Sequence, residues 1–361
     1  PRADRGPVAV QPRELVLDLA DLDLQLQQLR LRAAGLDPPL HDRLEPLALA
    51  QDPQPPGPVG LVLEHGLHRV APDDEVTAGY DADFDAETSV AYDPGCRAVR
   101  EVSDLVGEVE AVAVASPTST HYDIAGMLLK NGIHLLIEKP IAATMDEARG
   151  LVEMAEANNA IVQVGHLERF NPVVVALADH TVEPQFIESH RIAPFKPRAL
   201  DVSVVLDLMI HDIDLIHSFV QSPMEQVDAV GRSVFSDNID VANARIRFAN
   251  GCVANVTSSR ISMKTERSLR IFEADSYSSA DLQTRELTSY RKKGEGPVAG
   301  PEDVAIHKES FGECDPMMEQ ARAFLESVAG GPPPLVSGRT ATEALATATV
   351  IGDLVGVTLK P

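Results

Sequence analysis

From Val59 to about Pro172, short apolar runs alternate with amphipathic segments, and this alternation constrains the fold more than any other feature of the chain. The runs are Val59 to Leu63, Glu75 to Tyr80, Ala111 to Ala115, His134 to Ile137 and Ile161 to Val164. Runs so short and so continuously apolar fit parallel strands buried on both faces. Between them lie helix-like stretches such as Tyr122 to Lys130 and Met145 to Ala157, the second opened by Thr144 with Glu147 three residues on, a capping box. Strand and helix in alternation predict a doubly wound α/β sheet. From about Pro184 to Lys293 the pattern changes to period two with tight turns. Asn250-Gly251, between Ala242 to Phe248 and Cys252 to Thr257, predicts a type I′ hairpin, because that turn needs positive φ at both central residues. Two helices close the chain, one from Asp315-Pro316 to Gly330-Gly331 and one capped by Thr340 with Glu343. The second part is therefore α+β around an antiparallel sheet.

A chain of 361 residues exceeds what one core usually serves. The expected division is a doubly wound α/β domain over 58–175, an α+β domain over 176–361, and a Pro/Leu-rich extension over 1–57. None of the eight lysines precedes Lys130, and ten of the twenty-six prolines lie in the first sixty residues, so the start is composed differently from the rest. Its leucines, from Leu15 to Leu31, allow either a short amphipathic helix or a poorly ordered segment, and no role follows from them. The stretch lacks the cationic start and continuous apolar run of a secretory signal. No apolar run is long enough to span a membrane. The formal charge of −24 repels nucleic-acid phosphates and anionic lipid. Cys96, Cys252 and Cys314 are too scattered for a zinc knuckle or a disulfide framework, and a reducing, cytoplasmic setting fits.

Ligands of a doubly wound sheet bind beyond the carboxyl ends of its strands, so the loops there carry the candidate site. Asp81 ends the second run, where an acid would hold an adenosine ribose hydroxyl; a solvated turn acid is the competing reading. Ser116, Pro117, Thr118 and His121 follow the third run, with small residues that let a cofactor approach the backbone. Glu138, Lys139 and Pro140 end the fourth, and Gly165 to Pro172 after the fifth holds His166, Glu168, Arg169 and Asn171. After the first run a glycine-rich turn should cradle pyrophosphate, but Glu64-His65-Gly66-Leu67-His68-Arg69 stands there, and only eleven residues, Glu64 to Asp74, lead to the next strand. Either that unit is damaged, or the sequence before about residue 74 does not represent the functional chain.

Further on, Asp207, His211 and Asp214 stand at i, i+4 and i+7, which on a helix share one face. Glu138-Lys139-Pro140, Ser116-Pro117 to His121 and Asp207 to Asp214 together resemble the glucose-fructose oxidoreductase/inositol dehydrogenase (Gfo/Idh/MocA) family, over about residues 74–357. Val164 to Pro172, Ser189-His190-Arg191, Leu206 to Asp214 and Asn250 to Thr257 look most like members that oxidise carbon 3 of UDP-N-acetylglucosamine. The resemblance implies an NAD(P)-binding Rossmann domain and a large open sheet forming a homodimer or homotetramer face. It implies that Lys139 touches nicotinamide and substrate and that His211, with Asp207 beside it, handles the proton. Two departures stand out: the glycine fingerprint is absent, and Met209 occupies a position where many relatives have glycine.

Oxidising a secondary alcohol needs a base within reach of the hydroxyl, and a histidine titrates in the right range. His211 is therefore the expected base, Lys139 the cation that stabilises developing alkoxide, and Asp207 the residue orienting the pair. The sequence shows no ligand cluster for a metal. Arg169, Arg191 and Arg198 are the expected partners of a substrate pyrophosphate, with Asp214 also at the substrate. A carboxylate at Asp81 favours NAD, with NADP left open. Two alternatives stay open: a dehydrogenase of another sugar or polyol, and a binding relative impaired by loss of the pyrophosphate loop.

Overall fold

The computed structural model describes residues 59–63, 76–81, 97–196 and 202–356, all within the compact unit Pro53–Pro361. Expectations placed on residues 1–57, the connection 64–75, Cys96 and Arg198 lie outside the described residues.

Six parallel strands form the first sheet: β1 (Val59–Leu63), β2 (Val76–Asp81), β3 (Arg97–Ala98), β4 (Ala111–Ala115), β5 (His134–Ile137) and β6 (Val162–Val164). Their spatial order is β3-β2-β1-β4-β5-β6. Sheet growth thus reverses between β1 and β4, which places a crevice beyond their carboxyl ends. There Leu63 stands opposite Asp81 of β2 on one side and Ala115 of β4 on the other. Helices α1 (Thr118–Lys130) and α2 (Met145–Ala157) follow β4 and β5. The capping box forms as read: Thr144 Oγ1 accepts from the Glu147 N–H at 3.3 Å and Glu147 Oε2 accepts from the Thr144 N–H at 3.1 Å. Helix α1 begins at Thr118, earlier than Tyr122, so the hydroxyl-rich loop runs into its first turn.

The second sheet has eight strands: β7 (Phe186–Pro194), β8 (Met224–Arg232), β9 (Val241–Phe248), β10 (Val253–Ser262), β11 (Glu266–Phe272), β12 (Ser276–Asp281), β13 (Glu286–Lys292) and β14 (Val304–Ser310). The order is β14-β13-β12-β11-β7-β10-β9-β8, and β7 with β10 is its one parallel pair. Alternate residues such as Ala244, Ile246, Phe248, Val256 and Leu269 are buried, under α3 (Pro172–His180), α4 (Ile210–Val220) and α6 (Gly338–Leu354). On the opposite face Phe186, Phe272, Tyr277 and Tyr290 stack in a row, with centroid spacings of 5.5, 4.7 and 5.5 Å.

The chain's end returns to the first sheet. Phe324 and Leu325 of α5 (Pro316–Val328) pack on Ala111, Ala113 and Leu136, while Val112, Val114, Leu135 and Ile137 point into the main core. Both faces of the parallel sheet are therefore covered, which is why its strands are apolar without alternation.

Two turn-level expectations are corrected. The Asn250-Gly251 hairpin is not type I′, because Gly251 has φ +87° while Asn250 stays out of the left-handed region. Asn250 Oδ1 instead accepts the Cys252 N–H at 3.1 Å, and the Gly251 N–H donates to the Phe248 carbonyl at 2.9 Å. Helix α6 is capped by Ser337, whose Oγ accepts from the Thr340 N–H at 3.2 Å, so Thr340 lies in the first turn rather than at the cap.

Candidate active site

The carboxyl end of β5 delivers Glu138 and Lys139, and a turn from the second half of the chain receives Lys139. Residues Val205–Met209 form a π turn, marked by the Ile210 N–H donating back to the Val205 carbonyl. Helical arithmetic of i, i+4 and i+7 therefore fails for Asp207, His211 and Asp214, since a π turn holds more residues than an α turn. Asp207 sits within the wide turn, and Met209 is fully buried beneath it. The Lys139 ammonium donates to the Asp207 carbonyl oxygen at 2.8 Å and lies 3.9 Å from Asp207 Oδ1. The Lys139-Pro140 peptide is cis.

His211 and Asp214 occupy the first turns of α4 and converge on His166. The rings of His166 and His211 meet edge to face at 6.3 Å, and Asp214 Oδ2 lies 4.0 Å from His166 Nδ1 and 3.2 Å from Arg169 Nε. His211 Nδ1 and both ring nitrogens of His166 are buried without a hydrogen-bond partner. Burying a polar atom unpaired costs about 1–3 kcal/mol, which marks these nitrogens as candidates for contact with a ligand. Burial first, and then the charges of Lys139 and Arg191, hold the His211 imidazole well below its usual pKa. The ring is neutral at physiological pH and able to accept a proton.

Three sequence-predicted ligand residues belong to the frame of the site instead. Arg191 on β7 is 4 % exposed and donates to Asp212 at 2.9 and 3.0 Å and to Glu168 Oε1 at 2.8 Å, so its fork is not open to pyrophosphate. Asn171 caps α3, accepting the Val173 N–H at 3.2 Å and donating to Glu168 and to the Leu282 carbonyl. His121 is buried, its nitrogens 3.0 and 2.9 Å from the carbonyl oxygens of Pro140 and Ser116. A neutral ring carries one N–H, so it serves one carbonyl at a time while bracing both loops. Burial works to raise the Glu168 pKa, but Arg191, Asn171 and Arg267 together outweigh it and hold the carboxyl below its usual value.

Sequence reasoning missed Asp212, the buried partner of Arg191, and Arg267. The register of β11 against β7 sets Arg267 opposite Arg191, and its Nη1 lies 3.4 Å from Glu168 Oε1. Half its side chain is exposed, at 49 %. Arg169, expected at a pyrophosphate, is paired with Asp214 and donates to the Leu335 carbonyl at 3.4 Å. Arg169 and Asp214 also line a cavity of about 690 Å³ with His217, Gln221, Leu335 and Glu343.

The cofactor side fits a dinucleotide on two observations. The first turn of α1 follows the carboxyl end of β4 and carries neither a capping side chain nor an acid, a setting compatible with an anionic group. Gly165 lies so close to Glu138 that a Cβ there would sit 2.9 Å from Glu138 Oε2, so the carboxylate is fixed at the strand end. Asp81 ends β2 next to the switch point. Ser116 Oγ accepts from Thr120 Oγ1 at 2.8 Å, which ties the loop to α1.

Comparisons with known proteins agree with this geometry. Residues 61–166 match the oxidoreductase family with an NAD-binding Rossmann fold, and residues 181–274 match the GFO/IDH/MocA C-terminal domain. UDP-N-acetylglucosamine 3-dehydrogenase of Acidithiobacillus ferrooxidans is 34 % identical over 80 % of this chain and 93 % of its own length. Its solved structure superposes with a TM-score of 0.77 over 84 % of this chain and 99 % of that one, at 32 % identity. An inositol 2-dehydrogenase of Rubrobacter xylanophilus is 33 % identical over 47 % of this chain and 52 % of its own. A levoglucosan dehydrogenase solved with NADH and levoglucosan shares the fold at TM-score 0.72 and 16 % identity, covering 82 % of this chain and 97 % of that one. With both of its domains matched and a full-length relative above 30 % identity, the chain belongs to the GFO/IDH/MocA family of NAD-binding Rossmann oxidoreductases.

Proposed function

We propose that the chain oxidises a sugar secondary alcohol, with the hydroxyl at carbon 3 of UDP-N-acetylglucosamine as its substrate position and NAD as its cofactor. The observation that carries this reading is the Lys139 ammonium held against Asp207 with the neutral His211 in its field. The full-length relative supplies the substrate class. A bound nicotinamide would supply the hydride acceptor. His211 takes the hydroxyl proton on its imidazole, and Lys139 stabilises the negative charge that develops on the oxygen. Asp207 positions the ammonium through its carbonyl and carboxylate. Asp214 and His166 form the wall behind His211.

Ser116, Thr118, Glu138, Pro140 and Asp81 are the residues we assign to the cofactor, with a carboxylate at Asp81 disfavouring a 2′-phosphate. Arg169 and Arg267 are the cations we assign to the diphosphate, in place of Arg191. For assembly as a homodimer or homotetramer we propose the open face of the large sheet. Its aromatic row continues at Ile306 of β14, 58 % exposed, opposite Tyr290. A monomeric mass in sedimentation would reject that assignment.

Absorbance of reduced cofactor tests the activity, with UDP-N-acetylglucosamine, inositol and glucose offered with NAD and with NADP. Turnover fastest with the nucleotide sugar and NAD is the expected result. Turnover of inositol alone would move the chain to the polyol dehydrogenases. Calorimetry that shows no NAD or NADH binding would sink the enzyme reading for this polypeptide.

A further inference from the structure

The edge of the large sheet carries a second group of ligand-type side chains, remote in sequence from the catalytic loops. Residues i and i+2 of a strand share a face, so His307 and Glu309 of β14 point the same way. Their partners in β13 are Ser289 and Leu287, both buried, which fixes that face as the helix-covered one. Helix α3 lies over β12 and β13 and ends at His180. The three side chains meet there: His180 Nε2 lies 3.1 Å and His307 Nε2 2.5 Å from Glu309 Oε1, and the rings are 5.4 Å apart. Their ligand atoms all fall within 4.8 Å of one another.

We propose that His180, His307 and Glu309 bind a late first-row divalent metal ion, zinc being the member that fits best, and that the ion clips edge strand β14 to α3. Two imidazoles and one carboxylate make a mixed nitrogen and oxygen set suited to zinc, with bonds of about 2.0–2.2 Å and a fourth position for water. Tetrahedral bonds of that length separate ligand atoms by about 3.3 Å. The 2.5 Å contact of His307 therefore opens by less than about 1 Å to admit the ion. Each ring then carries its proton on Nδ1 and gives its Nε2 lone pair to the metal. His307 is 58 % exposed, which leaves an entry path, while His180 and Glu309 are half-buried at 32 % each. Arg291 faces the same spot, its guanidinium 3.4 Å from the His180 carbonyl oxygen, so its charge lies beside the site without occupying a ligand atom. This group leaves no mark in the sequence, because His180 stands far from the His307-x-Glu309 pair in the chain.

Zinc titration by calorimetry against the full chain tests the site, with His307→Gln and Glu309→Gln as comparisons. One equivalent bound by the unsubstituted chain is expected. Even outer-shell changes weaken metal sites about 10- to 100-fold, so loss of a ligand should weaken binding at least about tenfold in each variant. Zinc should also raise the melting temperature of the unsubstituted chain and leave that of the variants unmoved. Equal zinc binding by the chain and by both variants, or no stoichiometric binding at all, would overturn the proposal. Cobalt(II) added to the unsubstituted chain gives a check independent of substitution. Visible absorption of a tetrahedral site that zinc displaces supports it, and an octahedral spectrum rejects it.

Discussion

Replacing Arg191 with methionine keeps the volume of its stem and removes the charge between Asp212 and Glu168. Both Arg191 and Asp212 are almost fully buried, at 4 % and 3 % exposure. Removing one partner of such a pair costs about 3–5 kcal/mol. A second limit comes from protonation. A carboxyl with an unfolded-state pKa of 3.8 can escape its charge at pH 7 for about 1.36 × (7 − 3.8), or about 4.4 kcal/mol. The same escape at pH 5 costs about 1.36 × (5 − 3.8), or about 1.6 kcal/mol. Arg191→Met should therefore lose about 4 kcal/mol of stability at pH 7 and only about half of that or less at pH 5. Glu168 also loses Arg191 but retains Asn171 and Arg267, so Asp212 sets most of this contrast. Urea unfolding of both chains at the two pH values measures it. A difference that does not shrink toward pH 5, or a loss below about 1 kcal/mol at pH 7, would refute the reasoning.

His211→Ala and Lys139→Ala should each lower kcat by about 10²- to 10⁴-fold with an unchanged fold, the usual contribution of an acid–base group. Circular dichroism beside initial rates checks this, and more than a tenth of the original rate in either variant rejects its role. The acid limb of kcat/KM should lie below pH 6.5, because His211 must be neutral and its folded pKa is depressed. Lys139→Met removes one depressing charge, so the limb of its residual activity should move to higher pH; a limb that stays in place or moves lower contradicts the assignment.

Much of the parallel sheet was legible because burial on both faces leaves a mark that chemistry cannot blur. Val59–Leu63, Ala111–Ala115 and His134–Ile137 begin and end where the apolar runs do. Helix α2 was equally plain, since Thr144 and Glu147 announce its start. The site was legible as a list of residues and less so as an arrangement. The sequence marks Arg191 as a candidate phosphate ligand, but the tertiary fold brings Asp212 and Glu168 to it. The π turn left no trace, because an i to i+5 hydrogen bond changes no residue preference that a single sequence displays. Arg267 was invisible for the same reason as the histidines at the sheet edge: its neighbours are set by register, not by spacing along the chain.

The position of β7 bears on how the molecule comes together. Strands β10 and β11 are consecutive, yet they share no ladder, because β7 lies between them. The large sheet is thus two local meanders, β8 to β10 and β11 to β14, sutured by one strand from far upstream. Each meander forms through short loops, whereas Phe186 must meet Val253 on one side and Phe272 on the other across long stretches of chain. Long-range pairing of that kind is slow, because loop closure precedes any reward in contacts. The suturing strand also carries Arg191, which holds Asp212 next to His211. Cohesion of the sheet and the placement of Asp212 at the start of α4 therefore rest on the same strand.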